Sequence, residues 1–207
     1  SQNITSLSGV PSWFLGLIKH ILEKTGKETL TELWPDLEVF FHGGISFAPY
    51  REQYQKLIPS PRMHYVETYN ASEGFFAVQD DLSDPGMLLL IDLGIFFEFI
   101  PMDEVDNDNA RPVPIWEVQA GKNYALVITT NSGLWRYRIG DTVRVTSTDP
   151  VKIVISGRTK HYINAFGEEL MVDNAEQAIA KTTAETGATV LNYTAAPVYM
   201  RGNERGR

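Results

Sequence analysis

Between Met63 and Ile155 the chain is a succession of short runs of β-branched, aromatic and aliphatic residues, separated, except across residues 101–114, by only a few turn residues each. Met63 to Thr68, Phe75 to Gln79, Met87 to Asp92 and Ile95 to Ile100 come first. Ile115 to Val118, Tyr124 to Thr130, Leu134 to Tyr137, Thr142 to Thr146 and Val151 to Ile155 follow. Gaps this short leave no room for the crossover helices that parallel neighbours need. The middle of the chain is therefore expected to form an antiparallel sheet or a small barrel. Asp84-Pro85-Gly86 and Asn131-Ser132-Gly133 supply the turn chemistry.

The flanks read differently. Ser12 is the predicted N-cap of a helix whose apolar residues Trp13, Phe14, Leu17, Ile18, Ile21 and Leu22 recur at helical spacing until Gly26. A shorter helix holds Leu30 and Leu33 and ends by Pro35. Leu37 to Phe41 is a strand closed by His42-Gly43-Gly44, and Pro49 opens a helix through Tyr54 and Leu57. After Gly157, Asp173 and Glu176 are spaced as a capping box for a helix to about Thr186, with Gly187 just beyond and a strand expected over Ala188 to Tyr199. The fold class is thus mixed α/β of the α+β kind. Residues 1–157 read as part of a large domain, 158–160 as its boundary, and 161–207 as the start of a small α+β domain.

Composition narrows the chemistry. With 26 acidic and 18 basic residues the net charge is −8, so nothing draws the chain toward nucleic acid or an anionic membrane. There is no cysteine, hence no thiolate nucleophile and no disulfide framework, which fits a reducing cytoplasm. No apolar run approaches the roughly 20 residues that span a bilayer. The chain starts at Ser1-Gln2-Asn3 and stops after a strand-like run, so it is expected to be an internal piece of a longer protein.

Chemistry concentrates in ordered stretches where small residues stand beside a carboxylate or an arginine. In Tyr69-Asn70-Ala71-Ser72-Glu73 a loop is expected to present Glu73 beside the Ser72 hydroxyl. Magnesium takes hard oxygen ligands and often only one or two protein carboxylates; a solvated hairpin glutamate is the plainer alternative. In Tyr137-Arg138-Ile139-Gly140-Asp141, glycine clears the approach and Asp141 can accept both hydrogens of a cis-diol; a turn aspartate between surface arginines is the alternative. Arg158, after Gly157, is an oxyanion candidate, or else part of a solvated basic turn with Lys160. His20, His42, His64 and His161 lack metal-ligand spacing, and the acidic run Asp103, Glu104, Asp106, Asp108 lacks the glycine and terminal glutamate of a calcium loop. Phe40-Phe41, Phe75-Phe76 and Phe96-Phe97 read as sheet core.

Taken together, these stretches resemble the adenylate-forming enzymes, which include acyl-CoA synthetases, peptide synthetase adenylation domains and luciferases. Within that superfamily the chain is most similar to the auxin-responsive acyl acid amido synthetases, the Gretchen Hagen family. The likeness rests on Gly43-Gly44-Ile45-Ser46-Phe47-Ala48-Pro49-Tyr50, Asn70-Ala71-Ser72-Glu73-Gly74 and Gly133-Leu134-Trp135-Arg136-Tyr137-Arg138-Ile139-Gly140-Asp141. The resemblance implies that Glu73 contacts magnesium and that Asp141 holds ribose. It further implies that Gly43, Gly44, Tyr69, Ser72, Tyr137 and Arg158 line the nucleotide, and that Lys160 is the hinge. Phe41, Tyr69 and Phe75 are expected in the wall of the acyl pocket. The implied reaction uses ATP and Mg2+: a small carboxylic acid attacks the α-phosphate, and an amino acid amine then takes the acyl group. Against the family pattern, the Ser/Thr/Gly-rich phosphate loop is missing, as is the remainder of the C-terminal domain where relatives that use a catalytic Lys carry it, and the hinge position is Lys160 where many relatives have Asp and some Lys. The 207 residues alone are therefore expected to be inactive. A thioester-forming acyl-CoA synthetase and a nucleotide-binding module without turnover are the competing readings.

Overall fold

The chain divides into two units, Ser1–Leu90 and Ile91–Arg207. The computed structural model describes residues 2–107, 109–159, 163–165, 168–170, 172–188, 190 and 193–195.

In the first unit the strands β1 (Ser6–Gly9), β2 (Val39–His42), β3 (His64–Ala71), β4 (Gly74–Val78) and β5 (Met87–Leu89) lie side by side in chain order. β1, β2 and β3 are parallel, with Val39 opposite both Ser6 and His64. β3 then changes partner. His64 to Glu67 pair with β2, whereas Thr68 to Ala71 pair antiparallel with β4. Parallel pairing needs crossovers, and the helices α1 (Pro11–Thr25) and α2 (Arg51–Leu57) lie in them.

α1 begins two residues before the predicted start, at Pro11, with Val10 rather than Ser12 as its N-cap and no side-chain cap hydrogen bond. Proline suits this position because its fixed φ is already helical and its missing N–H would have had no partner. Of the apolar residues, only one stripe faces inward: Pro11, Leu15, Ile18 and Leu22 are buried, while Trp13 and Leu17 stand in solvent. At the centre of this core Phe40 stacks on Tyr54 at 5.0 Å and touches Phe14 at 5.5 Å. The Tyr54 hydroxyl donates to the Pro11 carbonyl at 2.7 Å, tying α2 to the first turn of α1. Burial pushes the Tyr54 hydroxyl above the usual phenol range.

In the second unit β6 (Ile95–Pro101), β7 (Val113–Pro114), β8 (Asn123–Thr130), β9 (Tyr137–Thr148) and β10 (Val151–Arg158) form an antiparallel sheet in the order β10-β9-β8-β6-β7. Ile100, Val105, Ala125 and Val127 make one buried cluster. An antiparallel pair, β11 (Ile163–Ala165) and β12 (Glu168–Leu170), precedes α3 (Val172–Thr186), which closes on Gly187. No described helix is long and apolar enough to cross a membrane.

Several expectations are corrected. Ile115 to Val118 is not a strand, for Ile115–Glu117 is a 3-10 turn set off by Pro114. The strand begun at Met87 stops at Leu89, where a turn takes over at 91–94. Leu134 to Arg136 belong to a loop, and the strand expected from Thr142 instead starts at Tyr137 and runs unbroken to Thr148. Beyond α3, the described residues 188, 190 and 193–195 carry no strand. The aromatic pairs split by alternation: Phe40, Phe76 and Phe97 are buried, while Phe41, Phe75 and Phe96 face out.

Candidate functional site

The first candidate group lies at the β3–β4 hairpin. Tyr69, Asn70 and Ala71 are strand residues rather than loop, and only Ser72 and Glu73 form the turn. Backbone pairing continues to Ala71, opposite Gly74, which shortens the expected loop to a two-residue tip. An irregularity between Tyr69 and Asn70 twists that tip. Tyr69 is buried, edge-on to Phe76 at 4.9 Å, so its ring supports the hairpin from below. Glu73 is half-buried and makes no ion pair among the described residues, while Ser72 is exposed beside it. No cluster of three metal-ligating side chains exists among the described residues. A cation at Glu73 would thus depend on ligand oxygens for most of its shell, as phosphate-bound magnesium does.

Gly43 and Gly44 sit just past β2. A Cβ on Gly43 would collide with the Thr68 carbonyl oxygen, so glycine here answers to β3 itself. Thr68 closes the same junction by donating its hydroxyl to the His42 carbonyl at 3.2 Å. His42 is buried, 2% exposed, with its ring on Phe47 at 4.3 Å and neither ring nitrogen hydrogen-bonded among the described residues. Burial, with the Arg51 charge adding, lowers its pKa to about 4. His42 is therefore a neutral core residue.

The second candidate group lies in the other unit, where β9 leaves regular pairing. Ala125 faces Thr142 and Val127 faces Arg138, so two steps along β8 meet four along β9. The surplus is taken up at Ile139 to Asp141, with Gly140 at φ +87. A β-carbon there would be strained, and it would approach Arg158 Nη2 to 3.4 Å. Freed from β8, the Gly140 carbonyl accepts the Thr159 amide at 2.9 Å and its hydroxyl at 3.4 Å. Asp141 is thus not a turn residue. It stands inside a twelve-residue strand, re-aimed by a bulge.

β10 answers with a bulge of its own. Val143 faces Ile155 and Thr142 faces Gly157, which leaves Ser156 as the extra residue and sets Arg158 opposite Asp141. Arg158 Nε lies 3.4 Å from Asp141 Oδ1, and Nη2 donates to the Ile139 carbonyl at 3.4 Å. Their side chains are 17% exposed for Asp141 and 56% for Arg158. A pair this exposed adds at most about 1 kcal/mol to stability. What it does offer is a carboxylate for a diol and a guanidinium fork for an oxyanion on adjacent strands.

Before the bulge, Arg136 adopts a positive φ of 46, which is unusual for a residue with a side chain. Its amide donates to Thr129 Oγ1 at 3.0 Å, and its guanidinium clamps Glu98 through Nε at 2.9 Å and Nη2 at 2.7 Å. That clamp holds the turn that leaves Trp135 82% exposed and Tyr137 at the open edge of the stretch. Sequence reasoning missed Glu98, Thr142, Ser156 and Thr159. A hydroxyl flanking each of the Gly-Asp and Gly-Arg pairs was the available signal. Lys160 lies outside the described residues.

Comparison with known proteins adds an independent line. Residues 1–63 match the GH3 family N-terminal domain and residues 88–158 the GH3 family central domain. Indole-3-acetic acid-amido synthetase GH3.3 of Arabidopsis thaliana is 31% identical over 181 residues, 80% of this chain and 29% of that protein. Jasmonoyl--L-amino acid synthetase JAR4 of Nicotiana attenuata is 38% identical over 82 residues, 37% of this chain and 14% of its own length. Among solved structures, the GH3.15 acyl acid amido synthetase aligns with a TM-score of 0.59 at 23% identity, over 80% of this chain and 30% of that one. 2-Hydroxyisobutyryl-CoA ligase in the postadenylation state aligns at 0.61 and 16% identity, over 86% and 37%. At those identities the structural likeness speaks to the fold, which is that of adenylate-forming ligases. The chain spans about a third or less of the length of these curated relatives.

Proposed function

The chain belongs to the GH3 family, and from that premise we propose that the protein serves the ATP-dependent activation of a small carboxylic acid and the transfer of its acyl group to an amino acid amine. The observation that carries the reading is the pairing of Asp141 with Arg158 across two facing bulges. Asp141 accepts the two ribose hydroxyls, and Arg158 turns its remaining N–H donors toward phosphate. Tyr137, at the start of the same strand as Asp141, offers an exposed ring. Glu73, with Ser72 next to it, supplies oxygen ligands for Mg2+, which when bound neutralises charge building on the phosphates. Gly44, at φ +81, keeps the end of β2 free of a side chain for the nucleotide, with Gly43 packed beside it against Thr68, and Lys160 serves as the hinge.

In the first half-reaction the carboxylate of the acid attacks the α-phosphorus and pyrophosphate leaves. In the second, the amine attacks the acyl carbonyl and AMP leaves with the C–O electron pair. The protein's share is positioning and electrostatics, with no covalent bond to the chain. The names of the relatives, which conjugate indole-3-acetic acid or a jasmonoyl group to amino acids, favour an amine over coenzyme A as acceptor. A reducing, ATP-supplied cytoplasm is the compartment this chemistry fits.

The test is ATP–pyrophosphate exchange by the full-length parent protein with a mixed pool of carboxylic acids, beside its Glu73→Gln variant. Exchange that requires the acids and drops about 100-fold in the variant is expected, the scale on which loss of an electrostatic partner acts. Undiminished exchange in Glu73→Gln would remove the metal role of that residue. No exchange across a broad pool would remove adenylation itself.

A further inference from the structure

The two bulges that bring Asp141 to Arg158 create a problem of register. Side chains alternate along a strand, so Asp141 and Arg158, directly opposite, share one face of the sheet, and Thr142 and Gly157 share the other. A slip of one residue between β9 and β10 would carry Arg158 to the wrong face and part it from Asp141. At a bulge the ladder hydrogen bonds are interrupted, so side-chain contacts carry more of the register there.

Behind the pair, on the reverse face, lies a contact that no motif contains. The Ser156 hydroxyl donates to the Thr142 hydroxyl at 3.1 Å, and both residues are buried. In a regular strand Ser156 would share the face of Arg158, two positions on. The bulge turns it through the sheet to meet Thr142 instead. On that face a β-carbon at Gly157 would meet the Val172 side chain at 3.5 Å and Thr142 Oγ1 at 3.6 Å, whereas Val143, Val145 and Ile153 are buried on the face of Asp141. Two hydroxyls in such a place are costly unless bonded to each other, and an apolar pair of the same shape would serve stability about as well. What an apolar pair could not do is tell the correct register from a slipped one.

We propose that Thr142 and Ser156 are positioning residues, a buried hydroxyl latch that pins the two bulges in register and so presents Asp141 and Arg158 to the nucleotide as a unit. Gly140 completes the device from the other side, its carbonyl held by Thr159. The latch touches no ligand and acts only through the pair in front of it. Its functional meaning rests on the nucleotide reading above, but its geometry does not.

The experiment uses Ser156→Ala, the isosteric double variant Thr142→Val/Ser156→Ala, and Thr142→Ser, which keeps the hydroxyl. Two quantities are read on each: hydrogen exchange of the Arg158 Nε–H without nucleotide, and affinity for AMP, with thermal melting alongside. The expected result is Arg158 exchange accelerated and AMP affinity lowered about tenfold in the first two, the equivalent of one lost hydrogen bond. In the double variant this should occur with melting almost unchanged, and Thr142→Ser should restore both readings. Wild-type exchange at Arg158 in the double variant would overturn the latch, whatever AMP does. If AMP is not bound by the native chain, or is bound equally by Asp141→Ala, the nucleotide reading falls instead, and the exchange measurement still decides whether the latch exists. AMP affinity unchanged in both hydroxyl-free variants, with Asp141→Ala abolishing binding, would also overturn it.

Discussion

His42 shows how one residue can set the acid limit of a core. Its ring is buried against Phe47 and close to the charge of Arg51, so the folded pKa lies near 4, against 6.5 for the free side chain. Between those values the unfolded chain takes up a proton and the folded chain does not. Stability is therefore fully present above pH 6.5, falls as pH drops through the window, and levels off below about 4. The cumulative loss is on the order of 3 kcal/mol. Equilibrium denaturation from pH 7 to 4 should show this slope, and His42→Leu should flatten it. A slope indifferent to that substitution would refute the assignment. At the same scale, Gly43 carries a reason the sequence could not disclose: it is glycine because the Thr68 carbonyl occupies the place of a β-carbon.

The elements that matter most are strands that depart from regularity. β9 is long because its pairing with β10 continues through the Gly140 bulge, and the bulge is possible because Gly140 sits at φ +87. Gly140→Ala forces a side chain into that conformation and toward Arg158. It should destabilise the protein by roughly 1 kcal/mol or more, a fall in Tm of about 2–4 °C for a chain of this size. Calorimetry checks the magnitude, and an unchanged Tm would show that the bulge is not specified here. The same logic explains the misplaced strand boundaries. Leu134 to Arg136 are as apolar and aromatic as many strands, but the clamp of Arg136 on Glu98 holds them in a loop. Propensity yields to a tertiary ion pair.

At the scale of the whole molecule, the two units differ in how they meet acid. His42, with its lowered pKa, belongs to Ser1–Leu90 and lies in the aromatic core around Phe40. The interior of the second unit is built on Leu126, Val143, Val145 and Ile153, which do not titrate. Amide hydrogen exchange at pH 5 compared with pH 7, corrected for intrinsic rates, should therefore show β2 and β3 losing protection before β8 and β9. Equal loss in both units would mean that they unfold as one and would contradict a local cause.

The sequence by itself determined the strand-rich middle, the helices at either end, the family and the identity of the residues that stand at the candidate site. Local chemistry was enough for these: alternation and turn residues mark strands, spacing marks helices, and short motifs survive at low identity. Only the tertiary structure decided that Asp141 is a strand residue re-aimed by a bulge, that Arg158 lies across from it, and that Thr142 and Ser156 meet behind them. It also decided that Trp13 and Leu17 face solvent while Leu15 and Ile18 are core, and that His42 is buried neutral. The reason is the same in each case. Register, face and burial are properties of pairs of segments, and the energies that select them arise only when residues distant in the chain come within a few ångströms of one another.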